Sequence, residues 1–169
     1  MQNLLNILEK EIFPISLIII LAFARLIPHP PNFTPIIAVA ILSGYFFKNI
    51  YMSFVILIIS MLISDILIGF YNNIFFVYIS LLLISLIFFK IGKKINYKNL
   101  IAYSFLGSLI FFIISNFGVW LLSGLYEKNL NGMIECYILA IPFFRNTFLS
   151  TLIFSYPSIF LYRSFRVKT

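Results

Sequence analysis

The sequence predicts an all-α integral membrane protein, a bundle of six helices in a single transmembrane domain over residues 1–169. Of the residues, 62% are hydrophobic and only 10% are charged, whereas soluble domains average about 45–50% apolar and about 25% charged residues. The mean hydropathy is +1.07. A compact domain of this length cannot bury so much apolar surface. The composition therefore excludes a soluble enzyme and a nucleic-acid-binding protein, despite the net charge of +7.

Apolar segments of spanning length recur along the chain. A membrane-spanning helix needs about 20 mostly apolar residues, with a range of about 17–25. Six segments are predicted to span the membrane, at residues 12–28, 34–50, 51–71, 74–91, 101–124 and 145–162. Since Glu9, Lys10 and Glu11 precede the first segment and Pro-His-Pro-Pro follows it, the segment does not resemble a cleaved signal peptide.

The second predicted span, 34–50, is short and reaches spanning length only if Lys48 extends its ammonium group to the membrane surface. Three small residues, Ala38, Ala40 and Gly44, group near one face of this helix. In lipid, such a face lets helix backbones approach closely, within one protein or against a partner. We interpret the three residues as a partner-docking face, with packing inside the protein as the alternative.

The third, fourth and fifth spans are continuous apolar runs. The segment 125–144 has charges at its start and an apolar run at its end, which predicts an external interfacial loop or short helix. The last span, 145–162, contains Pro157, which should kink the helix. Neighbouring helices can satisfy the carbonyl group that the proline leaves free.

The basic residues divide unequally between the two sides of a six-span protein. One side receives Arg25, Lys128 and Arg145, and the other receives Lys10, Lys48, Lys90, Lys93, Lys94, Lys98, Arg163, Arg166 and Lys168. The side richer in lysine and arginine is usually cytoplasmic, which places both termini inside. Residues 90–98 are interpreted as a topology signal and a contact for anionic lipid head groups. A five-span arrangement, with 34–47 re-entrant, exchanges one basic residue between the sides and keeps the nine-to-three bias, with the amino terminus outside.

In the six-span arrangement, the polar residues of the spans gather toward the external side, whereas five spans would scatter them. Ionisable groups at the centre of a span cost about 2.5–3.5 kcal/mol each, so they are candidates for function. Polar groups between apolar walls are typical of a ligand pocket. The candidate substrate-binding residues are Arg25, His29, Asn32, Asp65, Asn116, Trp120, Arg145 and Asn146.

Several candidates also have a structural interpretation. Asp65 is too short to reach the interface, so we expect it to pair with Arg25 or Arg145 inside the bundle, for structure or for a ligand. Asn116 must hydrogen-bond another helix or a ligand. Trp120 suits an interfacial anchor as well as a stacking platform.

The sequence offers little for catalysis or metal binding, with one histidine and one cysteine. His29 lies between prolines and fits a stiff loop better than a metal site. Cys136 cannot form an intramolecular disulfide. No His-Glu-x-x-His or nucleotide-binding G-x-x-x-x-G-K-[ST] motif occurs, so we predict no catalytic residue, metal or cofactor, and any ATPase is a separate chain.

Four motifs resemble a bacterial membrane-protein family of unknown function that is grouped with transport proteins. They are Arg25-Leu-Ile-Pro-His-Pro-Pro-Asn-Phe-Thr-Pro35, Ser64-Asp-Ile-Leu-Ile-Gly-Phe70, Ser115-Asn-Phe-Gly-Val-Trp120, and Cys136-Tyr with Ile141-Pro-Phe-Phe-Arg-Asn146. In size and hydropathy that family is similar to the S components of energy-coupling factor (ECF) vitamin transporters. An acidic residue often follows the Arg-Asn motif in the family, but Leu149, Ser150 and Thr151 stand there in this chain.

The S-component resemblance implies a six-helix protein of the bacterial cytoplasmic membrane, with an outward-opening site for a small vitamin- or cofactor-type molecule. It also implies docking on a transmembrane coupling subunit driven by two ATPases. Three other functions stay open. The main alternative is a structural or assembly subunit of a larger membrane complex, and the others are a membrane enzyme and a stand-alone carrier or channel.

Overall fold

The computed structural model describes residues 2–91 and 95–166. Every regular element in these residues is helical, which confirms the all-α class. Lys93, Lys94 and Lys168, which the topology prediction counted, lie outside the described residues. The elements are α1 (Gln2–Phe23), a 3-10 turn (Ala24–Leu26), α2 (Ile36–Phe46), α3 (Ile50–Ile68), α4 (Ile74–Ile91), α5 (Leu100–Leu122), α6 (Leu130–Leu139) and α7 (Ile141–Arg166).

Three helices, α3, α4 and α5, are long and apolar enough to cross a membrane by length and composition. The pair α6 and α7, which meet at a 45° bend, makes a fourth crossing if the two are counted together. Large apolar side chains cover the outer surface of these helices; Val55 on α3, for example, is 53% exposed. Such a surface suits contact with lipid, so the fold is that of a multi-pass membrane protein.

The helix of the first predicted span begins and ends earlier than the sequence suggested, and that of the second is shorter. The helix of the first ends at Phe23 and gives way to a 3-10 turn. The second, expected over 34–50, is the helix α2 with 11 residues, which is about 16 Å long against a hydrocarbon thickness of about 30 Å. The segment 125–144 contains the short helix α6, one of the two forms predicted for it.

Helix α2 is the centre of the bundle. It contacts α1, α3, α4, α5 and α7, and every residue of α2 except Tyr45 is buried. A helix that is apolar on all sides needs such an environment, because no face of it suits water. The other helices therefore enclose α2 instead of leaving one of its faces open.

The small residues of α2 pack inside the bundle. Ala38 and Ala40 have no exposed surface, and Gly44 lies against the α4 backbone at Ser85. The Ser85 hydroxyl also bonds the hydroxyl of Ser43 at 3.0 Å. The face assigned to partner docking is thus internal in this structure, which is the alternative that the small-residue pattern left open.

Gly44→Ala should destabilise the protein, because a Cβ at this position would lie 2.3 Å from the Ser85 carbonyl oxygen. Backbone atoms cannot rotate away, and overpacking a core costs about 1–3 kcal/mol. Gly107→Ala is the matched control, since its Cβ would meet only the side chains of Ile37 and Ile41, at 3.2 Å. Thermal unfolding in detergent compares the two variants. A Tm for Gly44→Ala equal to or above that of Gly107→Ala would contradict this packing.

Candidate functional site

A buried ion pair joins the end of α1 to the end of α3. Arg25, in the 3-10 turn after α1, places its Nη2 atom 2.7 Å from Oδ1 of Asp65, in the last turn of α3. The Asp65 side chain has no exposed surface, and that of Arg25 is 8% exposed. The predicted pairing of Asp65 is therefore confirmed, with Arg25 rather than Arg145 as the partner.

Neighbouring side chains form further hydrogen bonds to this ion pair. The Tyr78 hydroxyl of α4 donates to Oδ2 of Asp65 at 2.7 Å, while Nη1 of Arg25 donates to the Ser64 hydroxyl at 2.5 Å. Both carboxylate oxygens thus have donors, as a buried charge requires. The pair carries no net charge, and three helices are connected through it.

One atom of the network has no partner. The Nε atom of Arg25 is buried and forms no hydrogen bond with any described residue. A buried donor without an acceptor costs about 1–3 kcal/mol, so such atoms are rare in folded proteins. Arg25 also lines a cavity.

The cavity measures about 360 Å³, within the range of about 300–1,000 Å³ that is usual for small-molecule sites. It lies between α2, α4, α5, α7 and the loop after α1. Aromatic and aliphatic side chains alternate with amides and hydroxyls in its wall. The lining residues are Arg25, Asn32, Thr34, Ile36, Tyr71, Asn73, Val77, Phe111, Phe112, Ser115, Asn116, Val119, Phe143, Phe144 and Thr147.

Three of the eight predicted residues line this cavity: Arg25, Asn32 and Asn116. Asp65 does not line it but forms the ion pair with Arg25. The Asn116 amide group donates to the Phe112 carbonyl of its own helix at 2.8 Å. Asn32 adopts a positive φ of 59°, a left-handed conformation that asparagine tolerates better than most residues. The sequence therefore identified the charged centre and two of the cavity's amides.

Trp120 and Arg145 do not line the cavity. The Trp120 indole donates from Nε1 to the Glu127 carbonyl at 3.0 Å, and the Lys128 ammonium group lies 5.6 Å from the ring centroid. Through these contacts Trp120 holds the loop before α6 against α5. Arg145 is exposed, so it is not part of the buried charge network that the sequence suggested.

His29 and Asn146 belong to the loop after α1 and its attachment. The His29 ring is exposed, and its nitrogens lie near backbone oxygens of the same loop. The Asn146 amide donates to the Pro31 carbonyl at 2.9 Å, and the Ser150 hydroxyl donates to the Thr34 carbonyl at 2.9 Å. Because proline provides no N–H donor, the loop relies on such side chains of α7 to hold its carbonyl groups.

The sequence interpretation missed several polar residues of the cavity, among them Tyr71, Asn73, Ser115 and Thr147. Burial and the neighbouring Asp65 raise the pKa of the Tyr71 phenol, in the loop after α3, to about 12, so its hydroxyl keeps its proton. Serines and threonines occur throughout the helices, and spacing alone does not single out those at the cavity.

No group of three or more His, Cys, Asp or Glu side chains that could hold a metal occurs in residues 2–91 and 95–166. Cys136 is buried, and its thiol lies 3.6 Å from the Asn116 carbonyl oxygen. The carboxylate of Asp65, beside Arg25, already accepts hydrogen bonds from Arg25 and Tyr78. The described side chains therefore provide donors and apolar walls for a small molecule.

Fold and site together define a helical multi-pass membrane protein with a polar cavity at one end of its bundle. The chain belongs to DUF6580, a family of unknown function, whose model matches residues 6–167. No curated protein and no solved structure matches the chain. The match agrees with the predicted resemblance to a membrane family of unknown function, and it carries no link to the S components.

Asp65→Asn should lower the free energy of unfolding by about 3–5 kcal/mol, because the Arg25 guanidinium would stay buried without its counter-charge. Glu127→Gln is the control, since that carboxylate is exposed and exposed charges contribute about 0–1 kcal/mol. The double variant Arg25→Met with Asp65→Leu should recover part of the loss, as no charge is then left buried. Chemical unfolding in detergent measures all three. Equal stability of Asp65→Asn and Glu127→Gln would refute a stabilising pair.

Proposed function

We propose that this chain is a membrane-embedded substrate-binding subunit for the uptake of a small vitamin- or cofactor-type molecule, similar to an S component. The observation that carries the proposal is the cavity beside Arg25, with its buried and unpartnered Nε atom. A bound molecule that supplied an oxygen or nitrogen acceptor to this atom would complete the hydrogen bonding of the network. Because the atom is buried, the side chains around it would shift to admit the acceptor.

The lining of the cavity favours a neutral ligand with a flat ring. Asp65 already neutralises Arg25, so no uncompensated cation draws an anion into the cavity. The rings of Phe111, Phe112 and Phe144 provide apolar surface, and aromatic faces suit a planar group. The amides of three asparagines can pair with carbonyl and ring-nitrogen edges.

We further propose six membrane crossings with both termini in the cytoplasm of a bacterium. The contact between Arg25 and Asp65 supports this number, because the end of α1 then lies at the same membrane side as the end of α3. Helices α2 and α3 must therefore run in opposite directions between the two sides. A short helix such as α2 is tolerated at membrane depth where protein encloses it, as here.

Uptake in this proposal needs other chains. The external loop between α1 and α2, tied to α7 through Asn146 and Ser150, would close over the cavity with α6 after capture. Release to the cytoplasm would follow reorientation of the bundle on a coupling subunit, driven by separate ATPases. Since Ala38, Ala40 and Gly44 are internal, that subunit would contact other surfaces of the bundle.

Native mass spectrometry of the tagged protein, gently extracted from its host, should show a discrete extra mass in the small-molecule range. Val119→Trp introduces a large ring at the cavity wall and should weaken binding by about tenfold or more, or ~1.4 kcal/mol. Val55→Trp, the control, adds the same ring on the outer surface. Unchanged occupancy in Val119→Trp would place the molecule elsewhere, and a bare wild-type protein would favour the structural-subunit alternative.

Cysteine labelling in whole cells tests the crossings. In a Cys136→Ser background, His29→Cys and Asn72→Cys should react with a membrane-impermeant maleimide from outside, because both residues are exposed at the cavity end. Lys98→Cys should react only after the cells are opened. Labelling of His29→Cys and Asn72→Cys from opposite sides would support the five-span arrangement and overturn the six-span one.

A further inference from the structure

A second cavity, which the proposed function does not use, lies at the opposite end of the bundle. It measures about 710 Å³. Helix α4 runs from the first cavity at Val77 to the second at Lys90, so the two cavities occupy opposite ends of this helix. The residues that line the second cavity are Gly44, Tyr45, Phe46, Phe47, Lys48, Phe89, Lys90, Ile95, Tyr162 and Arg163.

The charges around this cavity are all positive. Lys48, Lys90 and Arg163 contribute three cations, and no carboxylate occurs among the described lining residues. Like charges around one space repel each other, and an anion within it would relieve that repulsion.

Arg163 is held rigidly at the cavity by neutral groups. Its Nε and Nη2 atoms donate to the Tyr45 hydroxyl at 3.3 and 3.4 Å, and Nη2 also donates to the Ile95 carbonyl at 2.5 Å. The guanidinium lies 5.1 Å from the centroid of the Tyr97 ring. None of these partners carries a negative charge, so the described contacts orient the cation without neutralising it.

The remaining wall is apolar and well ordered by its own contacts. The Phe46 and Tyr162 rings stack with their centroids 4.1 Å apart, and the Tyr162 hydroxyl donates to the Phe46 carbonyl at 3.2 Å. Phe47 and Phe89 extend this surface. The cavity thus combines a cationic set with an aromatic surface, as an amphiphilic anion requires.

We propose that this cavity binds a phosphate-bearing anion, either the head group of an anionic phospholipid or a soluble phosphate. Guanidinium and ammonium groups together are the usual protein ligands of phosphate oxygens. The volume exceeds that of an inorganic phosphate ion, and the aromatic wall can accommodate the glycerol and first acyl carbons of a lipid. The cytoplasmic leaflet, where the topology proposal places this end, is the one rich in anionic lipid.

Calorimetric titration of the purified full-length protein in neutral detergent tests the site. The three probes are dihexanoyl phosphatidylglycerol, inorganic phosphate and dihexanoyl phosphatidylcholine. We expect one saturable site per chain for the phosphatidylglycerol, weakened about tenfold or more (~1.4 kcal/mol) in the double variant Lys48→Gln with Lys90→Gln. Lys98→Gln is the matched control, since Lys98 is exposed at the same end but does not line the cavity.

Each outcome decides a point. Saturable binding of phosphatidylglycerol but not phosphate identifies a lipid site, whereas equal binding of phosphate identifies a soluble anion as the ligand. The proposal is overturned if neither anion binds, if phosphatidylcholine binds as tightly, or if Lys98→Gln weakens binding as much as the double variant. Both substituted lysines are exposed. If the double variant does not fold, the single variants Lys48→Gln and Lys90→Gln replace it.

Discussion

The buried pair of Arg25 and Asp65 is the constraint on which the arrangement of the first three helices depends. A carboxylate with no exposed surface is stabilised by a nearby cation, and Arg25 provides it here because α3 returns to the end of α1. The chain between α1 and α3 forms α2, a short helix that the bundle encloses. The first cavity lies beside α2, in the space that Arg25, α4, α5 and α7 leave unfilled.

The two ends of the bundle differ in how their charges are compensated. At the first cavity the arginine has its own carboxylate, and a tyrosine hydroxyl completes the pair. At the second cavity the described hydrogen-bond partners of Arg163 are neutral. A compensated centre selects by hydrogen-bond geometry and shape, whereas uncompensated cations select by charge. Under the two proposals, the first cavity would select a neutral ligand by shape and hydrogen bonding, and the second would bind anions with less selectivity.

The sequence predicted the features that follow from composition or from the length of one side chain. Apolar runs identified the helices, and Asp65, too short to reach water, had to find an internal partner. Tertiary packing decided the rest. The small residues Ala38, Ala40 and Gly44 predict close helix contact but not whether the contact is internal, and the position of Trp120 and Arg145 along their helices does not indicate their direction. Thr147 and Ser115 enter the cavity only because α5 and α7 pack together there.

The unpartnered Nε atom of Arg25 bears on why a binding site would be built around an ion pair. Asp65, Ser64 and Tyr78 fix the guanidinium in one orientation, so a ligand loses little free energy in ordering it. The remaining donor has no acceptor among the described residues. A molecule that supplies the acceptor gains a hydrogen bond to a charged group, about 1.5–3 kcal/mol. A molecule that leaves Nε unpaired gains no hydrogen bond at this atom. The resulting difference in affinity between the two molecules is larger than apolar walls alone provide.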